Sequence, residues 1–362
     1  MGHPAHAPAR LADALAARPA PGGGDAVRAL RAALLLLAVN ACSSRPPVEE
    51  TAVVRAGDFG AGAEKSRLEA DVMALERAHI EDTPLDCTAF DPGQINPEHQ
   101  PVCNLTREKA RLLIRARFES LGYTVIEQKA EGPTWPTTNV IAEVRGSEHP
   151  EQVVVVGAHY DAFYSGADDN SSGVAAMLEM ARLAAGKRFA RTIRFVGFDL
   201  EELGLVGSTR FVRTLPGEEI VASIVFDCIG YKDARPGAQL DLPGFPIPKT
   251  GDFLAAIANE QSRPRLEELY ALGSRLDFVP LRGAVAPIDG SGPFSGNLMR
   301  SDHAPFWLEG HSALFLTDTA NFRNPHYHKK TDVPSTLDYD FLEGVTRLSA
   351  AGIAYWAEGP LP

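Results

Sequence analysis

Acids and imidazoles recur at one kind of place in this chain, just beyond short apolar runs. His159 and Asp161 follow Val153-Val154-Val155-Val156, and Glu201 and Glu202 follow the run from Thr192 to Phe198. Asp227 closes the run from Ala222, and His328 comes shortly after Ala313 to Leu316. Asp168 and Asp169 lie between His159 and the next helical pattern. Singly, each has a plain explanation: a polar residue after a strand, a helix cap at the Asp pair, a solvated Glu-Glu turn. As a set at one end of one sheet they would repel each other without a cation between them. Mixed histidine and carboxylate donors suit zinc or a similar divalent ion, so the chemistry to expect is that of a metal centre.

The elements that must position these residues can be read from periodicity. Amphipathic helices are expected near Glu64 to Ile80, with Leu68, Val72 and Leu75 on one face, and from Thr106 to Leu121, with Ala110, Leu113, Ile114 and Phe118 in register. Gly122 stops the second. Strands are expected at Tyr123 to Glu127, Thr138 to Val144, the Val153 run, Thr192 to Phe198, Ala222 to Phe226 and Ala313 to Leu316. Helices follow at Val174 to Ala181, Leu205 to Thr214 and Phe341 to Trp356. Four β-branched residues in a row at Val153 read as a strand buried on both faces. The alternation predicts an α/β fold, a mixed, largely parallel central sheet with helices on both faces. Ligands bind beyond the carboxyl ends of such strands. The stretch 232–299 breaks the rhythm. It reads as a long insertion with helical patches at Asp252 to Asn259 and Arg265 to Ala271, either an excursion near the active face or a surface insertion.

The whole chain has 362 residues, 44% hydrophobic and 23% charged, with a formal net charge of -12. That is an ordinary globular composition. The acidic balance argues against nucleic acid as a partner. Arg28 and Arg31 precede an apolar run from Ala32 to Val39, and small residues lead to Cys42. This is the pattern of an export signal, too short to cross a bilayer comfortably. Val39-Asn40-Ala41-Cys42 resembles a bacterial lipobox, with Asn40 an unusual residue there. The division expected is a lipoprotein-type signal peptide over 1–41, a tether over 42–62 and one catalytic domain over 63–362, opened by a helical and loop segment over 63–105. The protein would then be exported, periplasmic or anchored to the outer membrane, touching lipid only through Cys42. In that compartment Cys87 and Cys103 either pair or stay as two free thiols, and Cys228 reads as a buried thiol.

Gly157-Ala158-His159-Tyr160-Asp161, Gly166-Ala167-Asp168-Asp169-Asn170-Ser171-Ser172-Gly173 and Glu201-Glu202-Leu203-Gly204-Leu205-Val206-Gly207-Ser208 resemble the metal-site motifs of the M28 zinc aminopeptidases. Asp227, Ser301-Asp302-His303-Ala304-Pro305-Phe306 and Tyr327-His328-Lys329-Lys330-Thr331-Asp332 complete the family's order. The resemblance implies a zinc-exopeptidase fold and two Zn²⁺ ions per chain. His159, Asp168 and Asp227 would hold one ion and Asp168, Glu202 and His328 the other, with Asp168 bridging. It implies Glu201 as general base, Asp161 as the hydrogen-bond acceptor that fixes the His159 ring, Tyr327 as a donor to the oxyanion, and a cis peptide bond after Asp168. The substrate would be a peptide with a free amino end. Arg300 and Arg323 flank the substrate side, and either would bind a substrate carboxylate if it faced the site. Phe294, Phe306 and Trp307 would line a pocket or pack in the core. A single-zinc glutaminyl cyclase, a binding ectodomain without catalysis and a dinuclear phosphatase or nuclease are the competing readings.

Overall fold

The computed structural model describes residues 49–85, 104–131, 135–215, 217–242, 247–290 and 296–361. The expected signal peptide, Cys42, the Cys87–Cys103 pair and Phe294 lie outside these residues. An eight-stranded sheet runs through the molecule. Its strands, in sheet order, are β2 (Ile126–Ala130), β3 (Thr137–Val144), β6 (Arg191–Phe198), β4 (His149–His159), β7 (Glu219–Phe226), β10 (Leu314–Thr317), β8 (Leu254–Asn259) and β9 (Leu281–Ala286). β6, β4, β7 and β10 are mutually parallel, whereas β2 and β3 on one side and the β8–β9 pair on the other run against their neighbours. A separate antiparallel pair joins β1 (Leu105–Thr106) to β5 (Ala162–Phe163) beside the end of β4.

The Val153 run behaves as its composition demands. Val154 and Val156 enter one core layer and Val153 and Val155 the other, and all four are fully buried. Strand side chains alternate between faces, so only a strand covered on both sides tolerates an unbroken apolar run. The larger layer is formed by α1 (Glu50–Ala61), α2 (Lys65–Glu81), α3 (Glu108–Ser120), α4 (Gly173–Ala184), α6 (Arg263–Leu276) and α8 (Tyr339–Trp356). On the other face α5 (Val206–Arg213) and α7 (His303–Leu308) supply Phe211, Phe306 and Trp307. Phe306 and Trp307 are therefore core residues and do not line a pocket.

Two expectations need correction. Residues 50–61 were expected to belong to a tether, yet they form α1, which buries Val53, Ala56 and Phe59 against the body. A Cβ on Gly60 would lie 2.3 Å from the Arg347 main-chain oxygen of α8, so the helices meet at a distance only glycine allows. In the stretch 232–299, Arg265 to Ala271 is helical as expected, but Asp252 to Asn259 is not. Leu254–Asn259, Arg263–Leu276 and Leu281–Ala286 form a strand–helix–strand unit that widens the sheet. A short Ala-rich run carries no period that separates a buried strand from a buried helix.

His79 on α2 is 2% exposed, and its Nδ1 lies 3.0 Å from the Thr106 hydroxyl. Burial pulls its pKa down to about 4. A depressed histidine is neutral when folded, so its contribution is present above the unfolded pKa of about 6.5 and is lost as pH falls toward 4. Between pH 7 and 5 the unfolded state alone gains the proton, which costs the native state about 2 kcal/mol. Chemical denaturation at the two pH values should show that loss in the wild type, and a smaller one in His79→Asn.

Candidate metal centre

The carboxyl ends of β4, β6 and β7 bring the acids and imidazoles together. His159 ends β4, and its Nε2 lies 3.3 Å from Asp169 Oδ1 and 3.9 Å from Asp227 Oδ2. His328 Nε2 lies 3.0 Å from Asp169 Oδ2 and 3.2 Å from Glu202 Oε1. Two groups of potential donors result, His159–Asp169–Asp227 and Asp169–Glu202–His328, each with its ligand atoms within 4.8 Å of one another. The Asp169 carboxylate belongs to both, one oxygen toward each imidazole.

The expected bridge at Asp168 is thus displaced by one residue. Asp168 Oδ1 accepts from the Gly230 amide at 2.8 Å and Oδ2 from the Asn324 side-chain amide at 2.6 Å. Both of its oxygens are engaged away from the imidazoles. The turn over Ala167–Ser172 decides which carboxylate faces inward. It enters through Gly166 at φ 51, and Asp169 departs from helical geometry at φ -107, ψ 87. A Cβ on Gly166 would lie 2.6 Å from the Asp169 carbonyl oxygen, so a larger residue would push against the turn. The Asp332 carboxylate accepts from the amides of Asp168 and Asp169 at 2.9 and 3.2 Å and pins them. Asn170 donates to the Phe226 carbonyl and accepts from the Cys228 amide, tying the turn to the end of β7. The cis peptide bond expected after Asp168 lies instead between Asp169 and Asn170.

Asp161 is the acceptor beside His159, through its main chain, with its carboxylate 3.6 Å from the same ring nitrogen. The His159 Nδ1 lies 3.0 Å from the Asp161 main-chain oxygen, which only accepts, so a neutral ring carries its proton there and presents Nε2 inward. The Asp161 carboxylate accepts from the amides of Glu201 and Glu202 at 3.0 and 3.2 Å. One residue thereby orients the imidazole and fixes both glutamates after β6. Glu202 then faces His328, and Glu201, 8% exposed, stands beside the cluster. Tyr327 stacks on the His328 ring at 3.8 Å, and its hydroxyl accepts from Arg300 at 3.2 Å.

The electrostatics fit divalent cations. Burial pushes the Glu201 carboxyl well above its ordinary range and Glu202 to about 7. His328, despite burial, is held at about 10, chiefly by the charge of Glu202. Without other cations the cluster balances its charge by gathering protons. His159 Nε2 and Glu202 Oε1 are buried and make no hydrogen bond among the described residues, which is costly unless a ligand meets them. Imidazole nitrogens and carboxylates in two sets of three match zinc donor sets that leave a position open.

The model of peptidase family M28 matches residues 139–353. The chain belongs to peptidase family M28. An aminopeptidase of Pseudomonas aeruginosa is 45% identical over 230 residues, covering 60% of this chain and 40% of that protein. The uncharacterized protein YfbL of Escherichia coli is 30% identical over 251 residues, covering 64% of this chain and 75% of YfbL. The crystal structure of the Legionella pneumophila LapA aminopeptidase superposes with a TM-score of 0.62 at 18% identity, covering 89% of this chain and 79% of that one, a likeness of fold.

Other residues of the M28 motifs settle into supporting places. His303 donates through Nε2 to the Leu298 carbonyl at 2.7 Å and stacks on Phe315, so it is part of the core. Arg323 is buried, donating to Gln239 and to the Phe253 carbonyl. Asp199 meets Arg107 at 2.6 Å. Cys228 is the buried thiol foreseen, and its Sγ lies 3.2 Å from Asp227 Oδ1. Sequence reasoning missed Asp318 and Asn324. Asp318 follows β10 as Asp227 follows β7, which was the available signal, and its carboxylate accepts from the Tyr231 amide at 2.9 Å.

Proposed function

We propose that the protein is an aminopeptidase that holds two zinc ions and releases residues from the amino ends of peptides. The observation that carries this reading is the Asp169 carboxylate shared between two donor triads, which suits a pair of cations better than one. His159 and Asp227 would complete one position, Glu202 and His328 the other. When bound, the ions supply Lewis acidity to the scissile carbonyl and acidify water toward neutral pH.

The remaining work falls to the chain. Glu201 takes the proton of the attacking water and returns it to the leaving amine, a role that its burial and raised pKa favour. Tyr327 accepts from Arg300 and so keeps its own O–H free to donate to the developing oxyanion. Burial holds that phenol far from ionising. The carboxylates around the centre receive the substrate ammonium. Asp161 keeps His159 and both glutamates in register throughout.

A panel of amino-acid p-nitroanilides, each with a free and an acetylated amine, tests the reading. Hydrolysis of the free-amine members alone is expected, abolished by a chelator and restored by zinc at two equivalents per chain. Cleavage of the acetylated members would overturn the aminopeptidase direction, and one equivalent at full activity would overturn the ion pair.

The sequence also supports export with a lipid at Cys42. No helix among the described residues is long and apolar enough to cross a membrane. Cys42→Ser should move the protein from the membrane fraction of the producing cell to the soluble one, read by fractionation and fatty-acid labelling.

A further inference from the structure

A cavity of about 50 Å³ opens beside Asp227. Ile257, Leu298 and Phe315, all buried, form its apolar inner wall, while Tyr327 and the exposed Arg300 stand at its mouth. Arg300 is the cationic residue among those lining it. Its guanidinium donates to Asn321 Oδ1 at 3.1 Å and to the Tyr327 hydroxyl at 3.2 Å, both neutral partners. It makes no ion pair of 4.0 Å or less among the described residues. Arg323, the other arginine on this side, is buried, donates to the Gln239 side chain and the Phe253 carbonyl, and does not line the cavity.

The carboxylates whose charge acts on Arg300, Asp227, Asp169 and Glu201 among them, belong to the metal centre or stand beside it. Cations bound there would compensate those carboxylates and leave the guanidinium charge open. Two planar N–H groups fixed by neutral acceptors, with the remaining donors making no hydrogen bond among the described residues, match a carboxylate in geometry as well as charge.

We propose that Arg300 is a specificity-determining residue that binds a carboxylate of the substrate. The inference rests on the aminopeptidase reading of the centre and names what that centre prefers. The carboxylate has two sources: an acidic side chain on the amino-terminal residue, seated in the cavity beside Asp227, or the free carboxyl group of a dipeptide.

Paired substrates separate them. Glutamyl- and glutaminyl-p-nitroanilide differ by one side-chain charge, and Leu-Gly and Leu-Gly-amide by one terminal charge. Arg300→Leu should raise KM by roughly 10- to 100-fold for the charged member of one pair, the loss of a charge-assisted hydrogen bond. The neutral member should keep its KM, with kcat falling alike for both members because Tyr327 loses the Arg300 donor, and Arg300→Lys should recover part of the KM difference. A selective loss in the glutamyl pair assigns the side chain, and one in the Leu-Gly pair assigns the terminus.

An equal rise in KM across all four substrates would overturn the proposal in favour of a role through Tyr327, and unchanged KM values would overturn it outright. Calorimetric titration of the zinc-loaded protein with glutamate and glutamine reads the same contrast without turnover. If the wild type hydrolyses nothing yet binds glutamate in an Arg300-dependent way, the aminopeptidase reading falls and the carboxylate site stands. Circular dichroism and zinc content, unchanged in both variants, exclude misfolding.

Discussion

Glu201→Gln should fold, take up zinc at wild-type stoichiometry and lose about a thousandfold in kcat, within the range general acid–base catalysis supplies. The amide keeps the size of the side chain but cannot receive the proton of the attacking water. The Glu201 main chain is fixed independently, since the Asp161 carboxylate accepts from its amide at 3.0 Å. The donor triads do not include Glu201. Metal analysis by mass spectrometry together with turnover of a free-amine anilide checks the outcome. A variant that loses zinc would make Glu201 a ligand, and one with a wild-type rate would end its role as base.

The second large effect separates two adjacent aspartates. Asp169→Asn should keep its fold and lose zinc and turnover together, because its oxygens stand 3.3 and 3.0 Å from the inward nitrogens of His159 and His328. Asp168→Asn should do the reverse. It should retain zinc and cost about 1–3 kcal/mol of stability, since an amide cannot accept from both the Gly230 and the Asn324 donors at once. Zinc titration and denaturant unfolding of the two variants, side by side, give the answer. A loss of zinc in Asp168→Asn with retention in Asp169→Asn would return the bridge to the position the sequence suggested.

That one-residue slip shows what can be read in a sequence and what cannot. Strand runs such as Val153–Val156 announce themselves by composition, and the residues after them inherit a location at the sheet's working end. His159, Glu202, Asp227 and His328 meet there in the two donor groups. Side-by-side aspartates offer no such handle, because which one turns inward depends on the backbone of the turn from Gly166 and on its anchorage to Asp332, more than 160 positions away. The β8 strand was hidden for another reason, since Leu254-Ala255-Ala256-Ile257-Ala258 has too few large side chains to show a period. Helix α1 was hidden behind the polar, Pro-containing residues that precede it. Its apolar face is narrow, and contact with α8, with Phe189 and with Leu276 makes it worth burying.

The direction of that helix has a further meaning. Gly60 abuts Ala351, whereas Lys65 pairs with Asp340 at 2.6 Å, so the incoming chain climbs α8 from its carboxyl end toward its amino end. The amino end of α8 is the one beside the catalytic mouth, where the Asp338 amide meets the Gly230 carbonyl at 2.9 Å. Residue 49 is therefore at the foot of the molecule. From there back to Cys42 the polypeptide reaches at most about 25 Å, at roughly 3.3–3.6 Å per residue. A lipid at Cys42, as proposed, would thus be joined to the folded body at the carboxyl end of α8, the end opposite the Asp338–Gly230 contact.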